Sequence, residues 1–231
     1  MKKFWSKYKH GLPVLIYAAI YLTWFFLLES RVPSSYTIIH TKLDNKIPFC
    51  EYFVIPYYIW FLYVFVAVGI AFFKDKEAYD KSLVFLMTGM TVFLLVSTFF
   101  PNGHNLRPRN LTEDNMCLRL VKAIYRADTP TNLWPSIHVY NSIGCHLCIL
   151  NIKNLKHKGT VRNLSLLISV SIILSTMFIK QHSTFDVFTA FLMAGLMAIL
   201  VYRQELQTYF REHPAFSINY EKRPAKTQRY I

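Results

Sequence analysis

Residues 52–73, YFVIPYYIWFLYVFVAVGIAFF, form an uninterrupted apolar stretch without a charged side chain. The stretch is long enough to cross a hydrocarbon core of about 30 Å, which takes roughly 20 residues of α-helix. Because backbone groups in lipid must be satisfied within their own segment, the stretch is expected to be helical. It predicts an all-α integral membrane protein.

Outward from this stretch, hydropathy predicts a six-transmembrane-helix bundle. The predicted spans are about 13–28, 52–73, 82–101, 135–151, 163–179 and 186–202. The fourth is the most polar, since it contains His138, Asn141, Ser142 and His146. We expect a single integral membrane domain over residues 1–231, with a helical core at about 82–202 and a basic tail at 203–231.

The distribution of Lys and Arg predicts the orientation of the bundle. The N-terminus, the connections 74–81 and 152–162, and the tail together carry 17 of the 26 basic residues. Because cytoplasmic loops are enriched in Lys and Arg, both termini are predicted to be cytoplasmic in a multi-pass cell-membrane protein. The net charge of +13 therefore belongs to loops and termini. No basic face of a soluble fold is available, so no nucleic-acid partner is expected.

Three polar clusters lie at the predicted non-cytoplasmic helix ends. They are Asn105-Leu106-Arg107-Pro108-Arg109, Trp134-Pro135-Ser136-Ile137-His138 and Lys180-Gln181-His182-Ser183-Thr184-Phe185-Asp186. Packing of the bundle would gather these helix ends around one shallow pocket near the membrane surface. Ionisable groups of transporters instead tend to lie near the bilayer midplane, which makes transport the less favoured function.

The cationic and hydroxyl residues of these clusters suit the binding of a phosphate. Arg107, Arg109 and Lys180 could hold phosphate oxygens, the arginines in bidentate fashion. Pro135 fits the first turn of a helix, whose free amides form an anion site together with the Ser136 hydroxyl. The clusters therefore predict phosphate chemistry.

The remaining cluster residues suit acid and nucleophilic chemistry. His138 could give a proton to a leaving oxygen. His182 and Asp186 are four residues apart, so a carboxylate bonded to one imidazole nitrogen would leave the other nitrogen free to attack. These residues offer no adequate metal-ligand set, so neither a metal nor another cofactor is expected.

At these positions the sequence resembles the type 2 phosphatidic acid phosphatase superfamily. The signature of that family reads Lys-x6-Arg-Pro, then Pro-Ser-Gly-His, then Ser-Arg-x5-His-x3-Asp. The matching residues are Arg107-Pro108, Pro135-Ser136-Ile137-His138, and Ser175, His182 and Asp186. The resemblance extends over roughly residues 100–190, and the first two predicted spans add only hydropathy.

Three signature positions differ in this chain. Phe100 stands at the expected Lys, Ile137 at the Gly and Thr176 at the Arg. Two expected cations are therefore missing, and Lys180 and Arg109 are the nearby candidates to replace them.

Two short stretches look more like the branch of inositol phosphorylceramide synthases and their bacterial relatives. These stretches are Lys180-Gln181-His182 and Tyr125-Arg126-Ala127-Asp128. That branch contains phosphotransferases as well as hydrolases, so the resemblance leaves both reactions open.

The resemblance implies that His182 attacks phosphorus, forms a phosphohistidine and is oriented by Asp186. His138 would protonate the departing lipid alkoxide. The leading hypothesis is a metal-independent phosphohydrolase acting on a lipid phosphate at the extracytoplasmic face of the membrane. The alternative is a lipid phosphotransferase that passes a headgroup to an alcohol. A transporter and a catalytically inactive scaffold are the less favoured hypotheses.

Overall fold

The computed structural model describes residues 9–31, 35–112 and 115–212, and over these ranges the chain is mostly helical. The all-α class is confirmed. The α-helices are α1 Leu12–Glu29, α2 Val54–Lys74, α3 Lys76–Phe99, α4 Met116–Ala127, α5 Ile137–Asn151, α6 Lys158–Phe178, α7 Thr184–Val201 and α8 Arg203–Glu212. Short 3-10 turns cover Lys9–Gly11 and Glu51–Phe53. The basic residues before Lys9 and the end of the predicted tail, 213–231, lie outside the described residues.

Five helices of the described residues are long and apolar enough to cross a membrane. They are α1, α2 with its preceding 3-10 turn, α3, α6 and α7. The chain is therefore compatible with a multi-pass membrane protein. Helix α5, the predicted fourth span, has 15 residues, or about 22 Å at 1.5 Å per residue. The count of six spans stays a prediction.

Helix α5 lies at the centre of the bundle and packs against α2, α3, α6 and α7. Its approach to α3 is close, because a Cβ at Gly144 would lie 2.6 Å from the Phe85 ring. Glycines of this kind let helices in a membrane approach one another. The polar residues of α5 are covered by protein, and Ser142 donates to the carbonyl of His138 at 2.6 Å. This explains why the predicted span with the most polar residues is still a core helix.

Several predicted helix starts are wrong because hydropathy does not register a polar first turn. Helix α3 begins at Lys76 instead of 82, since the Asp75 carboxylate caps it by accepting from the amide of Ala78 at 3.1 Å. Helix α6 begins at Lys158 instead of 163. Pro135 is not in the first turn of α5, since Ser136 is the N-cap of that helix.

The ends of α3 and α6 lie beside the starts of α2, α5 and α7, as contacts of Asn102 with Trp134, of Cys50 with Phe178 and of His138 with His182 show. We call this the motif end, because the three polar clusters lie there. Strand β1, Thr37–Ile38, pairs in parallel with β2, Asn102–Gly103, and so joins the connections that follow α1 and α3. Helix α4 covers this end, with Leu118, Val121 and Ile124 of its apolar face buried.

Candidate active site

The two histidines that the spacing singles out are in direct contact. His138 lies in the first turn of α5, and its Nδ1 is 3.3 Å from Nε2 of His182, just before α7. Both are buried, at 7% and 4% exposure. The rings of Tyr57 and Trp60 from α2 lie 4.6 Å and 4.4 Å from the His138 ring. The pair is therefore buried, and two aromatic rings pack on His138.

Asp186 lies on the other side of the His182 ring. Its Oδ2 is 3.4 Å from Nδ1 of His182 and accepts from the amide of Ser183 at 2.9 Å. Asp186 and Ser183 form a capping box at the start of α7. Nδ1 has no hydrogen-bond partner among the described residues, so the contact is one of proximity. A neighbouring carboxylate favours the proton on Nδ1, which leaves the lone pair of Nε2 directed at His138. Asp186 thus caps the helix and lies beside the imidazole.

The electrostatic surroundings keep His182 neutral. Burial, and then the positive charge of Arg107, lower its pKa to about 3, against a smaller opposing effect of the Leu133 backbone. At neutral pH the ring is therefore uncharged, with a proton on only one nitrogen. A free lone pair is what a nucleophilic imidazole requires.

A tight turn between α6 and α7 presents His182. Lys180 adopts a left-handed backbone with φ of 53°, a conformation that most side chains disfavour. The amides of Gln181 and His182 both donate to the Thr176 carbonyl, at 2.9 Å and 3.0 Å, which closes the end of α6. Lys180 Nζ donates to the carbonyls of Asp44, at 2.9 Å, and Ile47. The structure thus directs this predicted phosphate ligand at a neighbouring connection.

Arg107 is the predicted cation that the structure fixes in the cluster. Its guanidinium donates to the carbonyls of Tyr125 and Asp128, at 3.2 Å and 2.8 Å, and to Oε1 of Gln181. It also lies 4.4 Å from the centre of the Tyr125 ring. Its buried Nε has no hydrogen-bond partner among the described residues. One donor of a rigidly held guanidinium is thus left unused.

Gln181 and Asp128 form a buried network that sequence reasoning did not assign to the site. Nε2 of Gln181 donates to Oδ2 of Asp128 at 2.9 Å and lies 3.4 Å from the Tyr57 hydroxyl. Burial and the nearby charge of Glu29 raise the pKa of Asp128 to about 6, although Arg107 opposes the shift. Asp128 lies in a stretch that was singled out only by resemblance, whereas Gln181 lies in the third polar cluster, where no role was assigned to it.

His104 ties the first cluster to the third. Its Nδ1 accepts from the amide of Leu106 at 3.2 Å, so Nε2 carries the proton and donates to the Gln181 carbonyl at 2.9 Å. Burial lowers the pKa of His104 to about 4, so the ring stays neutral. In the sequence, His104 is distinguished only by its position next to Asn105, the first residue of the first polar cluster.

The other two predicted phosphate ligands differ in their surroundings. Ser136 is fully buried, and its hydroxyl caps α5 by accepting from the amide of Val139 at 3.4 Å. The chain leading to it is fixed by Asn102, whose Oδ1 accepts from the amides of Leu133 and Trp134 at 2.9 Å each. Arg109 is exposed, so its side chain is not fixed in the cluster by packing.

Among residues 9–31, 35–112 and 115–212, no group of three or more His, Cys, Asp or Glu side chains is arranged to hold a metal ion. Metal independence stays a prediction for experiment.

The family model described as PAP2 superfamily matches residues 81–209, more than half of the chain. The match includes all three polar clusters and helices α3 to α7, and it leaves α1 and α2 outside. Comparisons with curated proteins and with solved structures returned no match.

Proposed function

The chain belongs to the PAP2 superfamily, which implies phosphatase-type activity on phosphate esters, and from this premise we propose a membrane-embedded phosphohydrolase of lipid phosphates. The observation that carries the proposal is the contact of His138 with His182, with Asp186 behind the second ring. Nucleophile, acid and orienting carboxylate are the three parts that such a reaction needs.

In the proposed reaction, Nε2 of His182 attacks phosphorus as the bond from phosphorus to the lipid oxygen breaks. His138 enters this step as the imidazolium, gives its proton to the departing alkoxide and becomes neutral, and the lipid leaves as an alcohol. A water molecule then attacks the phosphohistidine and gives its proton to His138, which releases inorganic phosphate and restores both rings. Asp186 holds the proton on Nδ1 of His182 and stabilises the positive charge of the phosphorylated imidazole.

Substrate binding has to separate the two rings. A distance of 3.3 Å between Nδ1 of His138 and Nε2 of His182 leaves no room for a phosphorus atom between them. In an in-line displacement the attacking nitrogen and the leaving oxygen lie on opposite sides of phosphorus. We infer that the phosphoryl group is inserted between the histidines, with His138 beside the leaving oxygen.

Arg107 is the cation that we assign to the phosphoryl oxygens, through its unpaired Nε. The first turn of α5, capped by Ser136, adds the positive end of a helix dipole. Arg109, exposed in the same connection, suits the lipid headgroup. We assign Lys180 to the turn that carries His182, because its ammonium group already donates to two carbonyls.

Lys and Arg are more frequent in the termini and connections opposite the motif end than in those at the motif end. This difference supports a motif end that faces away from the cytoplasm, six spans and two cytoplasmic termini. A reporter that works only outside the cytoplasm should be active when fused within residues 110–130 and silent when fused after Arg203. The reverse pattern would place the proposed reaction on the cytoplasmic face.

A second candidate function is transfer of the phosphoryl-linked group to an alcohol in place of water. The packing of the Tyr57 and Trp60 rings on His138 favours it, since these rings restrict the access of water to that side of the pair. Incubation with a lipid substrate and a range of alcohols, with product analysis, separates the two reactions. A transferase forms the new ester faster than it releases phosphate.

The activity is tested with detergent-purified protein and a panel of lipid phosphates, diphosphates and phosphodiesters. We expect phosphate release that vanadate inhibits, since vanadate imitates pentacoordinate phosphorus, and that chelators leave unchanged. Release that a chelator abolishes and a divalent ion restores would contradict the proposed mechanism. So would the absence of release from every member of the panel.

A further inference from the structure

The connection between α1 and α2 packs against the turn that carries His182. It lies outside the range matched by the family model, which begins at residue 81. Thr41 Oγ1 is 2.6 Å from Thr184 Oγ1, and the amide of Cys50 donates to the carbonyl of Phe178 at 3.0 Å. Residues from outside the matched range thus hold both ends of the segment from α6 to α7.

Asp44 is the centre of this contact and is only 3% exposed. Its Oδ2 accepts from the Ser183 hydroxyl and the Thr41 amide, and its Oδ1 accepts from the Thr184 amide, all at 2.7 Å. Burial acts to raise the pKa of Asp44, but the hydrogen bonds from Ser183, Thr184 and Thr41 outweigh it and bring the pKa below its ordinary value. The carboxylate is therefore charged at neutral pH.

The contacts of Asp44 fall on both sides of His182 in the chain. Its backbone carbonyl accepts from Lys180, two residues before the histidine. Its carboxylate accepts from Ser183 and Thr184, the N-cap and first residue of α7. Because Lys180 adopts a disfavoured left-handed backbone, the turn depends on such surrounding contacts to keep its shape.

We propose that Asp44 is a positioning residue of the reaction, which holds the turn from Lys180 to Thr184 so that Nε2 of His182 is aligned for attack. The inference rests on the proposed function. It means that the active site is completed by residues 35–50, although they lie outside the matched family range. Asp44 does not touch the substrate and acts through the backbone that carries the nucleophile.

A matched pair of variants at Thr184 isolates one of these contacts. Thr184 is the first residue of α7, where proline is tolerated, and Ser183 before it has φ of −72° and ψ of 154°, which suit a residue preceding proline. Thr184→Pro removes the amide proton that Asp44 accepts, whereas Thr184→Ala keeps it. Both variants lose the hydroxyl contact with Thr41. They differ in the hydrogen bond from the amide of residue 184 to Asp44, which is the bond under test.

The experiment compares Asp44→Asn, Thr184→Pro and Thr184→Ala with wild type, and uses Lys42→Ala as an exposed control in the same connection. Small displacements of a reacting group can cost about 10²-fold in rate. We expect Asp44→Asn and Thr184→Pro to lower kcat per folded molecule by about 10-fold to 10²-fold, with a much smaller change in KM. The rate of phosphohistidine formation should fall in parallel, whereas Thr184→Ala should lose much less than Thr184→Pro and Lys42→Ala should stay close to wild type.

The possible failures are distinguishable. Wild-type protein without any His182-dependent phosphate release overturns the proposed function, and the positioning role falls with it. Active wild type, with kcat per folded molecule unchanged in Asp44→Asn, overturns the positioning role alone. If Asp44→Asn does not fold, the Thr184 pair decides: equal kcat in the proline and alanine variants contradicts the inference.

Discussion

The two ends of the bundle differ in the surroundings of their charged side chains. At the motif end, Asp44 and Asp186 are buried and bonded to backbone amides, and Arg107 is held by carbonyls and a side-chain amide. At the opposite end, ion pairs such as Lys153 with Glu77 are exposed, with side-chain exposures of 69% and 53%. Exposed pairs contribute little, while every member of a buried polar network matters. Sensitivity to substitution should therefore be concentrated at the motif end.

The largest expected effect is that of His182→Ala. The variant lacks the nitrogen that attacks phosphorus, so phosphate release should fall to background for every substrate. The measurement is phosphate release per folded molecule in detergent. Substantial activity in this variant would mean that another group is the nucleophile.

His138→Ala should have the next largest effect, and the effect should depend on the leaving group. General acid catalysis is worth about 10²–10⁴-fold, so loss of this order is expected on a lipid phosphate. A nitrophenyl ester needs little protonation of its leaving group and should retain much more activity. Equal losses on both substrates would argue against His138 as the acid.

These two residues are also those that sequence reasoning identified most directly. Their spacing and the up-and-down course of the helices are enough to bring His138 and His182 to one end of a bundle. Hydropathy likewise found the cores of α1, α2, α3, α6 and α7. It misplaced the starts of α3 and α6, since their first turns are polar.

Asp44 and Asn102 could not be found in this way. Asp44 contacts residues about 140 positions away, and Asn102 holds a segment about 30 positions away. Neither belongs to a periodic pattern or to one of the three clusters. The partners of Lys180 were missed for the same reason, because the carbonyls that it contacts are brought there only by the packing of a distant connection.

Gln181→Met should have an intermediate effect. It removes one partner of Oδ2 of Asp128, which keeps the Tyr57 hydroxyl at 3.3 Å, and it leaves one donor of Arg107 unsatisfied, which costs about 1–3 kcal/mol. We expect a lower unfolding temperature and a catalytic efficiency reduced by about tenfold or more, since a loss of this size in transition-state binding has that consequence. Wild-type behaviour would show that the network does not hold Arg107.

Asp128→Asn should have a smaller effect, which is a change in how the stability of the protein depends on pH. The pKa of Asp128 is raised from 3.8 to about 6 in the folded state. Its contribution to stability is therefore complete below pH 3.8 and disappears as the pH rises through about 6. The variant should gain stability over wild type at pH 7.5 and lose that advantage at pH 5. Unfolding temperatures of both proteins at the two pH values test this, and a difference independent of pH would contradict it.

The smallest effect is expected at the opposite end, for Lys153→Ala. The lysine forms an exposed pair with Glu77 at 2.7 Å, and exposed pairs are screened by solvent and salt. We expect activity within about twofold of wild type. A loss as large as that of Gln181→Met would remove the contrast between the two ends.

The most direct test of the account is trapping of a phosphorylated protein with an alkaline denaturing quench during turnover of a radiolabelled lipid phosphate. Wild type and His138→Ala should both yield acid-labile, base-stable phosphoprotein, because each retains the nucleophilic nitrogen. His182→Ala should yield none. Phosphoprotein in His182→Ala together with its absence in His138→Ala would contradict the account and reverse the roles of the two histidines.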